Sequence, residues 1–285
     1  MPLPYIAFHL LLSLVCLAIT LRIPRGSRTG IGLGLVLLAA LIAGFAIERR
    51  QTWAWAALRF SGSGLVFLTN LSIEGAVVLL AILWRSASDR KARLRASILA
   101  CLLLIAALWS YAWYFEPLPP YLTGIMNAIG YCPQTSQDSC SAASAVTLLA
   151  QYHIPATEAE MADLCLTRAG QGTSPLGLYR GLTLKAASWG FRPRLLVLGG
   201  PKGLRKSACP CILSVGLKSG CPPAINDRML SYGWEPGRQH TVVVLDADSA
   251  GKWLDVADPS YGREHWPTDD LKYLWDGYAL ILAPL

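Results

Sequence analysis

Charged residues are scarce in this chain of 285 residues, because Asp, Glu, Lys and Arg make up only 15% of it. A soluble protein of this size would carry about 25%. The whole net charge of +7 belongs to the first 116 residues, where eleven basic residues stand against four acidic ones. From Pro117 to Leu285, fourteen basic residues balance fourteen acidic ones. A nucleic-acid-binding protein carries its basic excess on its globular part, so we expect no nucleic acid as a partner, and a lipid bilayer instead.

Motifs that bind phosphate or metal are also missing. The stretch from Gly199 to Ser207 resembles a phosphate-binding loop at first glance, but it lacks the Gly-Lys-Ser/Thr ending. Cys209, Cys211 and Cys221 have no His or fourth Cys at a zinc spacing. We therefore predict that the chain binds neither a metal nor a cofactor.

Four long apolar runs fill the first 116 residues, and each has the roughly 20 residues that a helix needs to cross a bilayer. They lie at about 3–21, 30–47, 64–84 and 96–115. No Lys or Arg precedes the first run, so we expect it to be a membrane span rather than a cleaved signal peptide. The first and third loops hold eight basic residues and the second holds three, so the positive-inside rule makes the first and third loops cytoplasmic. We expect a multi-pass α-helical domain in a bacterial cell membrane over residues 1–116, with an extracytoplasmic C-terminal domain.

The third apolar run contains two polar side chains, Asn70 and Glu74, one helical turn apart on the same face. A carboxyl group at membrane depth is costly and is often functional. The pattern equally fits a protonated Glu74 that hydrogen-bonds Asn70 or a neighbouring helix and holds the bundle together. The sequence leaves both interpretations open.

The globular half contains a cysteine at the predicted start of a helix. Polar residues run from Pro133 to Ser139, and small and apolar residues recur at helical spacing from Cys140 onward. The free backbone N–H groups and the dipole of a helix N-terminus favour a thiolate over a thiol. Gln134 lies six residues upstream, where its amide would stabilise a developing oxyanion. A lone cysteine is otherwise a small buried hydrophobic residue, so partners decide whether Cys140 is a nucleophile.

Those partners lie near the C-terminus. His240 begins an apolar, β-branched run and Asp258 ends another, and both runs predict strands. Antiparallel pairing of two consecutive strands would place His240 and Asp258 side by side. An imidazole that is oriented by a carboxylate and faces a helix-terminal thiolate is the Cys-His-Asp arrangement of nucleophilic catalysis. His265 is the rival imidazole, and the strand that follows His240 favours His240 over it.

Three segments, at 134–140, 240–244 and 258–262, resemble the double-glycine-leader peptidases, papain-like cysteine peptidases that trim bacteriocin precursors. The resemblance covers about residues 125–283. It implies that Cys140 is the nucleophile and that His240 is the general base and acid. It also implies that Asp258 orients the imidazole and that Gln134 donates to the oxyanion.

Two positions depart from this family. Ser141 stands where Gly usually follows the Cys, which would narrow the approach to the sulfur. His153 stands where a Gly commonly ends the helix. The ATPase that often accompanies this peptidase in exporters is absent from the chain, because no phosphate-binding loop is present. A peptide or protein would then be the substrate, and a separate transporter or precursor the partner.

The order of elements predicts an α+β papain-like fold. Thr157 with Glu160, and then Ser174 or Thr173, predict helix N-termini after the Cys140 helix. Strands follow at 194–198, 211–215, 241–247, 253–257 and 278–282. We divide the chain into a four-span membrane domain at 1–116, a proline-rich linker at 117–124 and a papain-like peptidase domain at 125–285.

The other five cysteines of the globular half would lie outside the cytoplasm, where disulfides form. Because their number is odd, at most two bridges form, and Cys211 with Cys221 is one of the pairings that the sequence allows. We predict that Cys140 is the only cysteine with a strongly lowered pKa.

The sequence therefore predicts a membrane-anchored cysteine peptidase that cleaves a peptide or precursor at the outer face of the membrane. Two alternatives stay open. The same triad could pass its acyl group to an amine rather than to water, which would make the protein a transpeptidase or amidase. The domain could instead be a non-catalytic, peptide-binding membrane scaffold.

Overall fold

The computed structural model describes the chain continuously from residue 122 to residue 285. Before that it describes residues 7–8, 10–15, 18, 72–87, 89–95, 97–98, 101–102 and 105. The chain divides into two compact units, one of which contains all the residues from 122 to 285. The boundary at residue 116 lies outside the described residues, so the division at 1–116, 117–124 and 125–285 stays a prediction.

The N-terminal unit contributes one well-bounded helix. Helix α1, Ser72–Ser86, begins within the third predicted span, at 64–84, and ends two residues beyond it. Glu74 is buried near its start, whereas Asn70 lies outside the described residues. The span at 30–47 lies wholly outside them, and the other spans are described only in part. Among the described residues, no helix combines the length and the apolar composition needed to cross a bilayer. The four-span domain stays a prediction.

The C-terminal unit is built from helices and a sheet. Its helices are α2 (Cys140–Ala150), α3 (Glu158–Leu164), α4 (Pro175–Ala186), α5 (Pro223–Ser231) and α6 (Leu271–Leu274). Its strands are β1 (Phe191–Val197), β2 (Cys211–Val215), β3 (His240–Ala247), β4 (Trp253–Asp258), β5 (Gly262–Pro267) and β6 (Trp275–Pro284). Neighbouring strands pair antiparallel in the order β1-β6-β2-β3-β4-β5. The α+β order predicted from the sequence is confirmed.

Side-chain caps begin α3 and α4 where the sequence predicts them. Thr157 accepts a hydrogen bond of 3.2 Å from the backbone N–H of Glu160, and Ser174 accepts one of 3.1 Å from Gly177. Each cap satisfies a donor that has no partner within its helix. His153, just beyond α2, has a φ of 58°, in the left-handed region that Gly adopts most readily.

Helix α2 is the centre of this unit. Every residue from Cys140 to Leu149 is buried, so the helix is covered on all sides rather than on the single face that its spacing suggests. The helix packs against β3, and the sheet adds a large apolar cluster. Members of that cluster include Leu213, Val242, Val244, Val256 and Trp266. Because α2 and β3 begin with Cys140 and His240, their packing brings these two residues together.

Candidate active site

Cys140 is the first residue of α2, and it is 7% exposed. No acidic side chain lies in the first turn, so the positive end of the helix dipole acts on the sulfur unopposed. The loop before the helix is held from within, because the Ser139 hydroxyl donates to the carbonyl of Ser136 at 2.8 Å. The thiol thus sits in a fixed position that favours its ionised form.

His240 begins β3, and its ring connects Cys140 to Asp258. Its Nε2 lies 2.8 Å from Oδ1 of Asp258, and its side chain also hydrogen-bonds Cys140. Because Nε2 faces the carboxylate, Nδ1 is the ring nitrogen left for the sulfur. His240 is 11% exposed and Asp258 is 0% exposed. The structure therefore places the three predicted triad residues in one hydrogen-bonded series that is sheltered from solvent.

Asp258 is the last residue of β4, and four hydrogen bonds fix its carboxylate. Besides His240, Oδ1 accepts from the backbone N–H of Ser260 at 2.8 Å and from its hydroxyl at 2.7 Å. Oδ2 accepts from the indole N–H of Trp234 at 2.8 Å. Burial raises the pKa of Asp258, but the charge and hydrogen bond of His240 and the donors of Ser260 outweigh it and lower the pKa. The carboxylate is therefore ionised and rigidly held.

The sulfur and the imidazole perturb each other in opposite directions. Burial raises the pKa of Cys140, but His240 and the hydroxyl groups of Thr241 and Ser141 outweigh it and lower the pKa. Burial lowers the pKa of His240, yet the charge of Asp258 and the hydrogen bonds to Asp258 and Cys140 raise it to about 10. Both shifts favour a thiolate beside an imidazolium over a neutral thiol beside a neutral imidazole.

Trp234 belongs to the site, although the sequence patterns did not single it out. It lies between α5 and β3, is 5% exposed, and its ring centroid is 4.8 Å from that of His240. The indole thus packs on the imidazole while its N–H binds Asp258, which satisfies a donor that a buried Trp must place. The signal in the sequence was a Trp shortly before His240, in a turn that also contains Gly233 and Gly237.

Gln134 lies on the loop before α2 and is tied to the segment that follows Asp258. Its backbone N–H donates a hydrogen bond of 2.8 Å to the carbonyl of Pro259. The buried carboxylate of Glu158 accepts from the N–H of the next residue, Thr135, at 2.7 Å. The amide oxygen of Gln134 is buried without a hydrogen-bond partner among the described residues. Rotation of the amide by half a turn would place an N–H there. The oxyanion role of Gln134 stays a prediction.

His265, the rival imidazole, lies apart from this series. It is exposed on β5, and it lies opposite Asp255 in the antiparallel register of β4 and β5. The imidazole that binds Asp258 is that of His240. The structure therefore favours His240 as the partner of Cys140.

The seven cysteines within the described residues are all free, so the pairing of Cys211 with Cys221 is not formed. Burial raises the pKa of Cys132 to about 12. A hydrogen bond from Cys211 also lowers the pKa of Cys209. That Cys140 alone has a strongly lowered pKa stays a prediction. In the described part of the chain, no three or more His, Cys, Asp or Glu side chains are grouped so that they could hold a metal ion.

Comparison with known proteins gives matches among solved structures alone, since no family model and no curated protein matches the chain. One match is a double glycine motif protease from an AMS/PCAT transporter in complex with the leader peptide. It is 19% identical over 57% of this chain and 99% of that chain, with a TM-score of 0.41. Another is the peptidase domain of Streptococcus ComA, a bifunctional ABC transporter involved in quorum sensing. It is 21% identical over 58% of this chain and 100% of that chain, with a TM-score of 0.39.

A third match is the N-terminal peptidase C39 like domain of the toxin secretion ATP-binding protein from Vibrio parahaemolyticus. It is 13% identical over 53% of this chain and 100% of that chain, with a TM-score of 0.34. All three proteins are peptidase domains at low sequence identity. The roles of the site residues in this chain therefore rest on its own geometry.

Proposed function

We propose that this chain is a membrane-anchored cysteine peptidase that cleaves a peptide or protein at the outer face of a cell membrane. The observation that carries the proposal is the buried series of hydrogen bonds from Cys140 through His240 to Asp258. Burial alone raises a cysteine pKa, as it does for Cys132. Cys140 is buried as well, yet its pKa is lowered by a cation that is itself fixed by a carboxylate. A cysteine kept only for packing needs no such partner.

In the first half of the reaction, the Cys140 thiolate attacks the carbonyl carbon of the scissile peptide bond and forms a tetrahedral oxyanion. The imidazolium of His240 then donates its proton to the leaving nitrogen, the C–N bond breaks, and a thioester forms on Cys140. Asp258 keeps the ring oriented and stabilises its positive charge. Ser260 and Trp234 hold that carboxylate in place.

In the second half, the neutral His240 takes a proton from a water molecule, and the water oxygen attacks the thioester. The C–S bond breaks, the carboxylic acid product leaves, and the thiolate–imidazolium pair is restored. Gln134 is the side chain that we assign to the oxyanion in both halves. Because Pro259 and Glu158 fix its loop, the amide would need little reorganisation to act as a donor.

The apolar runs of the first 116 residues support the membrane anchor, and the distribution of basic residues between them supports the outer face. The peptide or protein substrate, and a separate transporter or precursor as partner, enter it from the resemblance to the double-glycine-leader peptidases.

Hydrolysis can be tested with the full-length protein in detergent micelles, a mixture of synthetic peptides and water enriched in heavy oxygen. A peptidase places a labelled oxygen in each new C-terminal carboxylate, which mass spectrometry detects. We expect Cys140→Ala and His240→Ala to abolish cleavage and the control Cys221→Ala to retain it. A second reaction also contains a free amine. Products that are joined to this amine and carry no labelled oxygen would show a transpeptidase instead. Peptides that bind without being cut would show a binding scaffold.

A further inference from the structure

Two buried hydroxyl groups join the residue after Cys140 to the residue after His240. Ser141 Oγ and Thr241 Oγ1 lie 2.8 Å apart, and their residues are 5% and 6% exposed. We call Ser141 and Thr241 the hydroxyl pair. Ser144, one turn further along α2, donates a hydrogen bond of 3.0 Å to the backbone carbonyl of Thr241. The start of α2 is thereby fastened to the start of β3 at the point where the sulfur meets the imidazole.

The hydroxyl pair also acts on the sulfur. Burial raises the pKa of Cys140, and hydrogen bonding by His240, Thr241 and Ser141 lowers it. Each hydroxyl has one proton. When one member of the pair donates to the other, the second member's proton is available to the sulfur. The titratable group that faces the sulfur is His240 on β3, and Asp258 on β4 acts through it. The hydroxyl pair is therefore an uncharged donor to the sulfur alongside the imidazolium.

We propose that Ser141 and Thr241 are positioning residues that hold the Cys140 sulfur against His240 and stabilise it as a thiolate even when His240 is neutral. This inference rests on the proposed peptidase function. The imidazolium stabilises the thiolate only while it keeps its proton, and it gives that proton to the leaving amine. The hydroxyl pair keeps its donor throughout the reaction.

A donor that stays in place affects the two halves of the reaction differently. Its hydrogen bond to a charged sulfur is stronger than its hydrogen bond to the neutral sulfur of a thioester. It therefore makes the sulfur a weaker nucleophile in acylation and a better leaving group in deacylation. This opposite effect separates a thiolate donor from a residue that only holds the fold together.

The test uses the full-length protein and measures the rate of iodoacetamide alkylation of Cys140 against pH, with the site of labelling read by mass spectrometry. We expect Thr241→Val to raise the midpoint of the profile by about one pH unit, since a hydrogen bond to a charged group is lost. The plateau rate should rise by about threefold or less, because the more basic thiolate is the stronger nucleophile. Thr241→Ser should restore both values. In a His240→Ala background, Thr241→Val should still raise the midpoint.

Two further variants separate positioning from stability. Ser141→Ala removes the other member of the pair and should shift the midpoint in the same direction. When it is combined with Thr241→Val, the total shift should be less than the sum, because the members share one donated proton. Ser144→Ala removes only the bond to the Thr241 backbone. It should lower the melting temperature and leave the midpoint in place.

The outcomes distinguish this inference from the proposed function. If Thr241→Val and Ser141→Ala lower the melting temperature but keep the wild-type midpoint and plateau, the pair is structural and the inference is wrong. If Thr241→Val fails to fold, the midpoint of Ser141→Ala decides the question alone, and a wild-type midpoint again contradicts the inference. A wild-type Cys140 that alkylates no faster than an ordinary thiol would overturn the proposed function itself.

Discussion

The indole nitrogen of Trp234 donates a hydrogen bond of 2.8 Å to the carboxylate oxygen of Asp258 that His240 does not use. The carboxylate is completely buried, so each of its oxygens needs a protein donor. Trp234 supplies one of them and packs on the imidazole with the same side chain. One residue of the α5–β3 loop therefore restrains two members of the triad.

Trp234→Phe keeps an aromatic ring beside His240 but removes the indole N–H that donates to Asp258. Because Oδ2 of Asp258 would then be buried without its donor, the free energy of unfolding should fall by about 1–3 kcal/mol. Alkylation of Cys140 at mildly acidic pH should slow as well, because His240 is less firmly oriented. Trp253→Phe is the matched control, since Trp253 is 51% exposed and lies at the opposite end of β4 from Asp258. Equal effects of the two substitutions would contradict the role of the indole.

Gln134→Ala should separate transition-state stabilisation from thiolate formation. If the amide donates to the oxyanion, peptide turnover should fall by roughly a hundred-fold or more, while the alkylation rate of Cys140 stays unchanged. Gln137→Ala is the control, because Gln137 is an exposed amide on the same loop. Loss of alkylation together with turnover would mean that Gln134 builds the site rather than serving the oxyanion.

The pH dependence of peptide cleavage follows from the shifted pKa values of the pair. Cleavage needs the thiolate of Cys140, whose pKa is lowered, and the proton of His240, whose pKa is raised to about 10. As pH increases, the rate should therefore rise at pH values below the usual pKa range of a cysteine. It should decline near pH 10, where the imidazolium loses its proton. A decline near the ordinary histidine pKa of about 6.5 would contradict the ion pair.

The same shift has a consequence for stability. Since the folded-state pKa of His240 lies above its unfolded value, its contribution is full below that unfolded value and is lost as pH rises through about 10. Melting temperatures of the wild-type protein should accordingly fall on the alkaline side of neutrality. Asp258→Asn removes the charge that raises the pKa, so this alkaline fall should begin at a lower pH.

We predict that the C-terminus lies outside the cytoplasm, because the basic residues concentrate in the first and third predicted loops. Insertion of the third predicted span decides on which side of the membrane the C-terminus lies. Asn70 and Glu74 oppose that insertion by up to about 3 kcal/mol each. Its many apolar residues offset this by a few tenths of a kcal/mol each. Alkaline phosphatase fused after Leu285 should be active, and a cytoplasm-only fluorescent reporter should be dark. A bright reporter with inactive phosphatase would place the domain inside.

The positions of Cys140 and His240 could be predicted because each stands where the sequence pattern changes. Cys140 separates a polar loop from a helix, and His240 precedes a β-branched run. Asp258 similarly ends a strand just before Pro259. Such local signals depend on neighbouring residues alone, so they can be recognised from the sequence without knowledge of the fold.

Other elements have no local signal of this strength. Strand β5 lies at the edge of the sheet, where Arg263 and His265 face solvent, so it lacks a continuous apolar face. Helix α5 buries only Met229, which leaves its helical spacing weak. The contacts of Trp234 with His240 and Asp258 join the loop before β3 to the end of β4, so they depend on tertiary packing rather than on local sequence.

Ser141 shows the same limit from another side. A serine after the cysteine suggests a side chain that narrows the approach to the sulfur. In the structure its hydroxyl turns to Thr241, 2.8 Å away, on a strand 100 residues later in the chain. Only the packing of α2 on β3 reveals this partner.

Whether Cys140 is an ion-paired nucleophile is tested most directly by competitive alkylation. A Cys209→Ser variant of the full-length protein, which removes the other cysteine with a lowered pKa, is treated with limiting iodoacetamide at mildly acidic pH. Mass spectrometry then gives the rate at each cysteine. We expect Cys140 to react first, and His240→Ala to slow it by at least about tenfold because the thiolate fraction at this pH falls.

Three thiols with raised pKa values provide the internal reference for that measurement. Burial raises the pKa of Cys132 and of Cys165 to about 12, and that of Cys221 is raised as well. These three should stay unlabelled while Cys140 reacts. Label spread evenly over Cys132, Cys165 and Cys221, or a Cys140 rate that His240→Ala leaves unchanged, would contradict a Cys-His-Asp nucleophile in this protein.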